Sequence, residues 1–198
     1  MSSRRSTVVA AVLAIATALV PLTAQVKRPD FSGRWTQDVE ASKALTEKKG
    51  HEWRVAGAGA GSGRGATPPP DAKVLKPVTT IRQSEAEIAI ERSYERDVIS
   101  HDVYKLDGSV SVNASSTSSS RSTTVWKGNA LVTTGTRQFD FSSMNARDAS
   151  GRPLTEITEQ FVTTRMLMPD GTMQVESRST RNGVERVTWS VLVPVKQS

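Results

Sequence analysis

The 198-residue chain contains no cysteine. That excludes a disulfide framework, a thiol nucleophile and a thiolate metal site, so the core must hold unaided. Histidine is almost as scarce, with only His51 and His101. Two isolated imidazoles do not make a transition-metal site, and we expect neither metal nor other cofactor. His51-Glu52 lacks the second histidine of a zinc-binding helix. Aromatics make up only 5% of residues, and the chain ends in Lys196-Gln197-Ser198. An outer-membrane barrel would carry aromatic girdles and a lipid-facing apolar band. A basic stripe is missing as well. The net charge of +6 is spread along the chain, which speaks against a nucleic-acid partner. The longest apolar run, residues 8–20, falls short of the roughly 20 residues of a membrane span.

What that run does fit is a secretory signal. Arg4 and Arg5 give a basic start, the apolar stretch follows, and Pro21-Leu22-Thr23-Ala24-Gln25 supplies small residues at its end. We read residues 1–25 as a signal peptide cleaved near Ala24. Ser3-Arg4-Arg5 faintly resembles a twin-arginine signal, but Thr7 stands where a bulky residue is usual, which favours ordinary Sec export. With no cysteine at the cleavage region, a lipoprotein anchor is excluded. Loss of Arg4 and Arg5 lowers the charge from +6 to +4. Residues 26–198 then form a single exported domain, periplasmic or extracellular, with no integral membrane span.

Asp38 is placed to cap a short helix over residues 38–49, and Gly50 to stop it. Residues 50–73 are rich in Gly, Ala and Pro and read as a mobile insertion with Trp53 as its one large apolar residue. From residue 78 the pattern is β. Segments 78–84 and 87–94 form a hairpin, 97–106 a third strand, and Asp107-Gly108 a tight hairpin turn into 110–114. Residues 115–124 read equally as a polar edge strand or a loop. Residues 123–127 turn through Gly128-Asn129 into 131–141, and 142–152 form a second loop. Three long strands follow, 154–168, 172–180 and 184–195, punctuated by Pro169-Asp170-Gly171 and Arg181-Asn182-Gly183. In the last, Val187, Trp189, Val191, Val193 and Val195 share one face. The prediction is all-β: an antiparallel up-and-down barrel of about 8–10 strands with one short helix after the first strand. Closure would remove the exposed edges of such a sheet.

Catalytic constellations are missing. Gly61-Ser62-Gly63 lacks the outer glycines of a nucleophile elbow. The Gly-rich tract has no Gly-Lys-Ser/Thr end, and Glu85/Glu87 and Glu156/Glu159 are carboxylates of the kind solvated strands carry. We therefore expect no enzyme. Three arginines are more suggestive. Arg92 shares a strand face with Ile88, Ile90 and Tyr94; Arg137 with Leu131, Phe139 and Phe141; Arg165 with Ile157, Phe161 and Leu167. A buried guanidinium needs a partner, either an internal carboxylate or the acid head of a ligand, which it binds through parallel hydrogen bonds. The opposing face of the 154–168 strand carries Val162, Met166 and Met168, so the inward direction stays open there. The ligand-binding candidates are Arg92, Tyr94, Arg137, Phe139, Phe161 and Arg165.

Phe31-Ser32-Gly33-Arg34-Trp35, directly after the signal, resembles the Gly-x-Trp opening of lipocalins. It is most similar to the F-S-G-x-W start of small secreted bacterial lipocalin-like proteins. The resemblance implies that Gly33-Arg34-Trp35 lies on the first strand, with Trp35 packed across a closed barrel end and Phe31 and Gly33 beside it. A second lipocalin motif, a cysteine pair and a helix after the last strand are missing. The function implied is non-catalytic binding of a small apolar or amphipathic molecule, anionic if the arginines converge. The alternative is a structural or protein-interaction module with a filled core and no ligand; no protein partner can be named.

Overall fold

The computed structural model describes residues 28–51, 77–94, 97–142, 147, 150–153 and 155–196. The expected signal peptide lies outside them, and so does the insertion apart from Gly50 and His51. Ten strands and one helix follow in chain order: β1 (Gly33–Asp38), α1 (Val39–Lys48), β2 (Val78–Gln83), β3 (Glu87–Tyr94), β4 (Asp97–Lys105), β5 (Val110–Ala114), β6 (Ser118–Lys127), β7 (Ala130–Asp140), β8 (Glu156–Leu167), β9 (Met173–Arg181) and β10 (Val184–Pro194). They form one sheet in the order β4-β3-β2-β1-β10-β9-β8-β7-β6-β5. Every pairing is antiparallel, and β10 returns to pair with β1. This is the expected antiparallel up-and-down meander, curled into a nearly closed barrel.

Local chemistry sets the turns. Asn182 (φ 51°) and Gly183 (φ 75°) both adopt the left-handed conformation of a two-residue hairpin. The Asp170 carboxylate accepts from the Thr172 N–H at 2.9 Å and from its hydroxyl at 2.7 Å, closing the β8–β9 turn as an Asx motif. Asp38 caps α1 by accepting from the Ala41 N–H at 2.9 Å. Beyond Asp38, β10 runs on without β1 as a partner. The helix takes its place there: the buried Ser42 hydroxyl accepts from the Val191 N–H at 2.8 Å.

Two sequence expectations change. Residues 118–127 form a full strand, so the Ser/Thr-rich segment is neither edge nor loop for most of its length; its buried positions are Ser120, Ser122 and Thr124. The Asp107-Gly108 turn does connect β4 and β5, but no backbone ladder follows it. Side chains bridge the seam instead. Asn113 Oδ1 accepts from the Val103 N–H at 2.8 Å, its Nδ2 donates to the Val103 carbonyl at 3.1 Å, and Ser111 Oγ accepts from the Lys105 N–H at 2.9 Å. The barrel closes there through two polar side chains inserted where strand backbone would otherwise meet.

The apolar core gathers Phe31, Trp35, Ile81, Ile88, Ile90, Tyr104, Leu106, Leu131 and Met173. Phe31 is fully buried, stacks on Trp126 at 5.8 Å, and its carbonyl accepts from the Trp35 indole N–H at 3.0 Å. Gln83 ties the same segment down: its Oε1 accepts from the Phe31 N–H at 3.1 Å and its Nε2 donates to the Pro29 carbonyl at 2.9 Å. Gly33 is needed for its backbone, at φ 140°. A Cβ there would only reach ordinary contact with the Trp35 ring, 3.5 Å from Nε1, so close approach is not its role.

Candidate functional site

Side chains at paired register positions point to the same face of the sheet. Leu192 lies opposite Met173, which is fully buried, and that fixes the inner face of β9 and β10. The inner face of β8 follows: Leu167, Arg165, Thr163, Phe161, Glu159 and Ile157, with Leu167 opposite Met173 and Arg165 opposite Val175. Arg165, Phe161 and Ile157 are buried, whereas Met166 on the other face is 40% exposed. The face that the sequence left open is therefore resolved inward.

Arg165 is 7% exposed, and its Nη1 is buried without a hydrogen-bond partner among the described residues. Its guanidinium carbon stands 5.9 Å from the Tyr104 ring centroid. Burial pushes the Arg165 pKa down, opposed by the nearby Tyr104 and Asp102 and reinforced by Arg92. Burial likewise raises the Tyr104 phenol, while Arg165, Arg137 and Arg92 pull it back down. An arginine remains charged even so, because its ordinary pKa lies far above neutrality. The three arginines thus share one electrostatic neighbourhood around Tyr104.

The other candidates divide. Arg137 is half-buried and spreads over the rings of Phe161 at 5.0 Å and Phe139 at 5.9 Å. Arg92 continues the inner face of Ile88 and Ile90 but is itself exposed. Tyr94, beyond the register shift between Arg92 and Ser93, is 38% exposed. Arg92, Tyr94, Arg137 and Phe139 therefore lie toward one end of the barrel, where β3 and β7 finish, and Arg165 lies deeper. The arrangement is a cationic rim leading to a buried, unsatisfied cation.

Sequence reasoning missed Tyr104 and Asp102, although their alternation on β4 is the signal that singled out the arginines. It also missed the polar inner wall of β5–β7. Ser111, Asn113, Ser120, Ser122, Thr124 and Thr133 are all buried. No pattern of hydrophobicity marks these, because hydroxyl positions read as solvent-facing.

At the opposite end, a cleft of about 410 Å³ opens between the start of β1, the end of β10 and the β8–β9 turn. It is lined by Asp30, Arg34, Trp35, Leu167, Met168 and Pro194, among others. The Ser32 side chain and N–H hold the Asp30 carboxyl below its usual pKa. No buried polar atom without a partner belongs to the cleft lining. Among the described residues no group of acidic or histidine side chains is arranged to hold a metal, and no helix is long and apolar enough to cross a membrane.

No family model and no curated protein matches the chain. Among solved structures, zebrafish ileal bile acid-binding protein complexed with cholic acid superposes with a TM-score of 0.46 at 13% identity, over 83% of this chain and 98% of that one. A REP1-NXSQ fatty acid transporter gives 0.43 at 14% identity, over 84% and 97%. Secretory abundant heat soluble protein 4 from Ramazzottius varieornatus gives 0.42 at 15% identity, over 83% and 94%. Likeness at this level transfers no ligand from those proteins to this chain.

Proposed function

We propose that this protein is an exported, non-catalytic binder of a small amphipathic anion held inside the barrel, with Arg165 as the anchor of the acid head. One observation carries the reading: Arg165 Nη1 is buried with no hydrogen-bond partner among the described residues. An unpaired buried guanidinium is costly, and a carboxylate that accepts from it would remove that cost. Arg137 and Arg92 at the rim attract the anion, and Phe161, Ile90 and Ile88 offer its body apolar contact.

The test is displacement of an environment-sensitive fluorescent fatty acid by hexadecanoate and by hexadecanol, in wild type and in Arg165→Met. Methionine keeps an unbranched apolar stem and removes the donors. Hydrogen bonds to a charged group are worth about 1.5–3 kcal/mol, so the acid should bind Arg165→Met roughly 10- to 150-fold more weakly, with the alcohol little changed. Equal loss of both ligands, or no saturable binding by wild type, would count against the reading and leave a ligand-free structural module ahead.

A further inference from the structure

The inner wall next to Arg165 carries hydroxyls in an unbroken row. Thr124 on β6 lies opposite Thr133 on β7, Thr133 opposite Thr163 on β8, Thr163 opposite Ser177 on β9, and Ser177 opposite Thr188 on β10. Five consecutive strands thus place only serine or threonine at one level of the inner face. The row lies one side-chain step from Arg165, about 7 Å along the strands, on the side of Phe161 and Arg137. A second, interrupted row follows at Ser122, Gly135, Phe161 and Ser179.

The row is enclosed at its β6–β7 end, half-buried at Thr163 and Ser177, and exposed at Thr188. Thr124 and Thr133 are almost completely buried, and their hydroxyls bond each other at 2.9 Å. Ser122 is 3% exposed, and its Oγ has no partner among the described residues. A buried hydroxyl without a partner costs free energy that an apolar side chain of similar size would not. Gly135, opposite Ser122, presents no side chain at that level, and its backbone lies close against Ser122. The facing wall is different, with Ile81, Ile88 and Ile90 buried in the apolar core.

We propose that the ligand is oxygenated along its body, a long-chain carboxylic acid carrying hydroxyls part-way along the chain, rather than a plain alkyl acid. The assignment rests on the reading of Arg165 as the head anchor. With the head at Arg165, the chain leaves toward Arg137 and passes the hydroxyl row on one side and the isoleucines on the other. A methylene chain there would leave Ser122 Oγ unsatisfied; a ligand hydroxyl would satisfy it and bond the Thr124–Thr133 pair, which retains acceptor and donor capacity.

Calorimetric titration of the full chain with hexadecanoate and with 9,10,16-trihydroxyhexadecanoate tests this, since the two acids share head and length. The trihydroxy acid is expected to bind about tenfold tighter. In Thr133→Val, and independently in Ser122→Ala should the first variant fail to fold, the ratio of the two affinities should collapse to about one. Hexadecanoate binding wild type as tightly as the trihydroxy acid, or tighter, overturns the proposal while leaving the Arg165 reading intact. An unchanged affinity ratio in a folded variant also overturns it. Binding of neither acid overturns both.

Discussion

A methyl group at Gly135 would sit 2.3 Å from the Arg121 carbonyl oxygen and 2.6 Å from the Ser122 Cβ. The first of these is backbone in a paired strand, which cannot swing away as the tip of a side chain would. Glycine inside a strand ordinarily costs stability relative to alanine, so its presence here reflects close approach of β6 and β7 rather than tolerance. We expect Gly135→Ala to destabilise the fold by about 1–3 kcal/mol, as other overpacked sites do. A urea melt with an unchanged or raised midpoint would show that the two strands separate freely. In the sequence, Gly135 is a lone glycine among threonines and nothing marks it as a contact. Gly33 is the converse case: it stands between two aromatics in the sequence, and what it supplies is a φ of 140° rather than room for a close neighbour.

The β4–β5 seam is the element that the hairpin signal misjudged. Asp107-Gly108 forms its turn, with the Asp107 carboxylate accepting from the Ser109 N–H at 2.8 Å and Gly108 at φ 82°. A turn brings two strands together over a few residues only; whether a ladder continues depends on the curvature that the other eight strands impose. Here Asn113 and Ser111 substitute for that ladder. Asn113→Leu removes a donor and an acceptor at once and leaves both backbone groups of Val103 unpaired in a partly buried place. A loss of about 1–3 kcal/mol is expected for such unsatisfied groups, together with faster hydrogen exchange at the Val103 amide. An exchange rate equal to wild type would mean that the side-chain bridge holds nothing. The β6 assignment has a related origin. A run of serines and threonines reads as solvated, yet period-two alternation puts Ser120, Ser122 and Thr124 inside, where pairing to β7 satisfies the backbone.

For the whole molecule, the proposal that the barrel is exported rests on the signal read over residues 1–25. Expressed in a secreting host, the protein should be recovered with its mature N-terminus near Gln25; recovery only with Met1 intact would sink the export proposal. Nearly every strand boundary and turn was legible along the chain, because alternation, Asn-Gly and Asp-Gly are local and act over a few residues. The number of strands, the meander and the helix after β1 follow from those signals. Which faces point inward was not legible. The alternating Val187, Trp189, Val191 and Val193 of β10 look like a core face, yet the register of Leu192 with Met173 turns them away from the interior, with Val191 held under α1. Alternation distinguishes two faces but not inside from outside when both carry apolar residues; only closure of the sheet decides. The same holds for the candidate site. The three arginines could be picked out strand by strand, but the burial of Arg165, its place beside Tyr104 and the row from Thr124 to Thr188 depend on register between distant segments. Those alignments come from the curl of ten strands around one core, a property that no single segment of the chain carries.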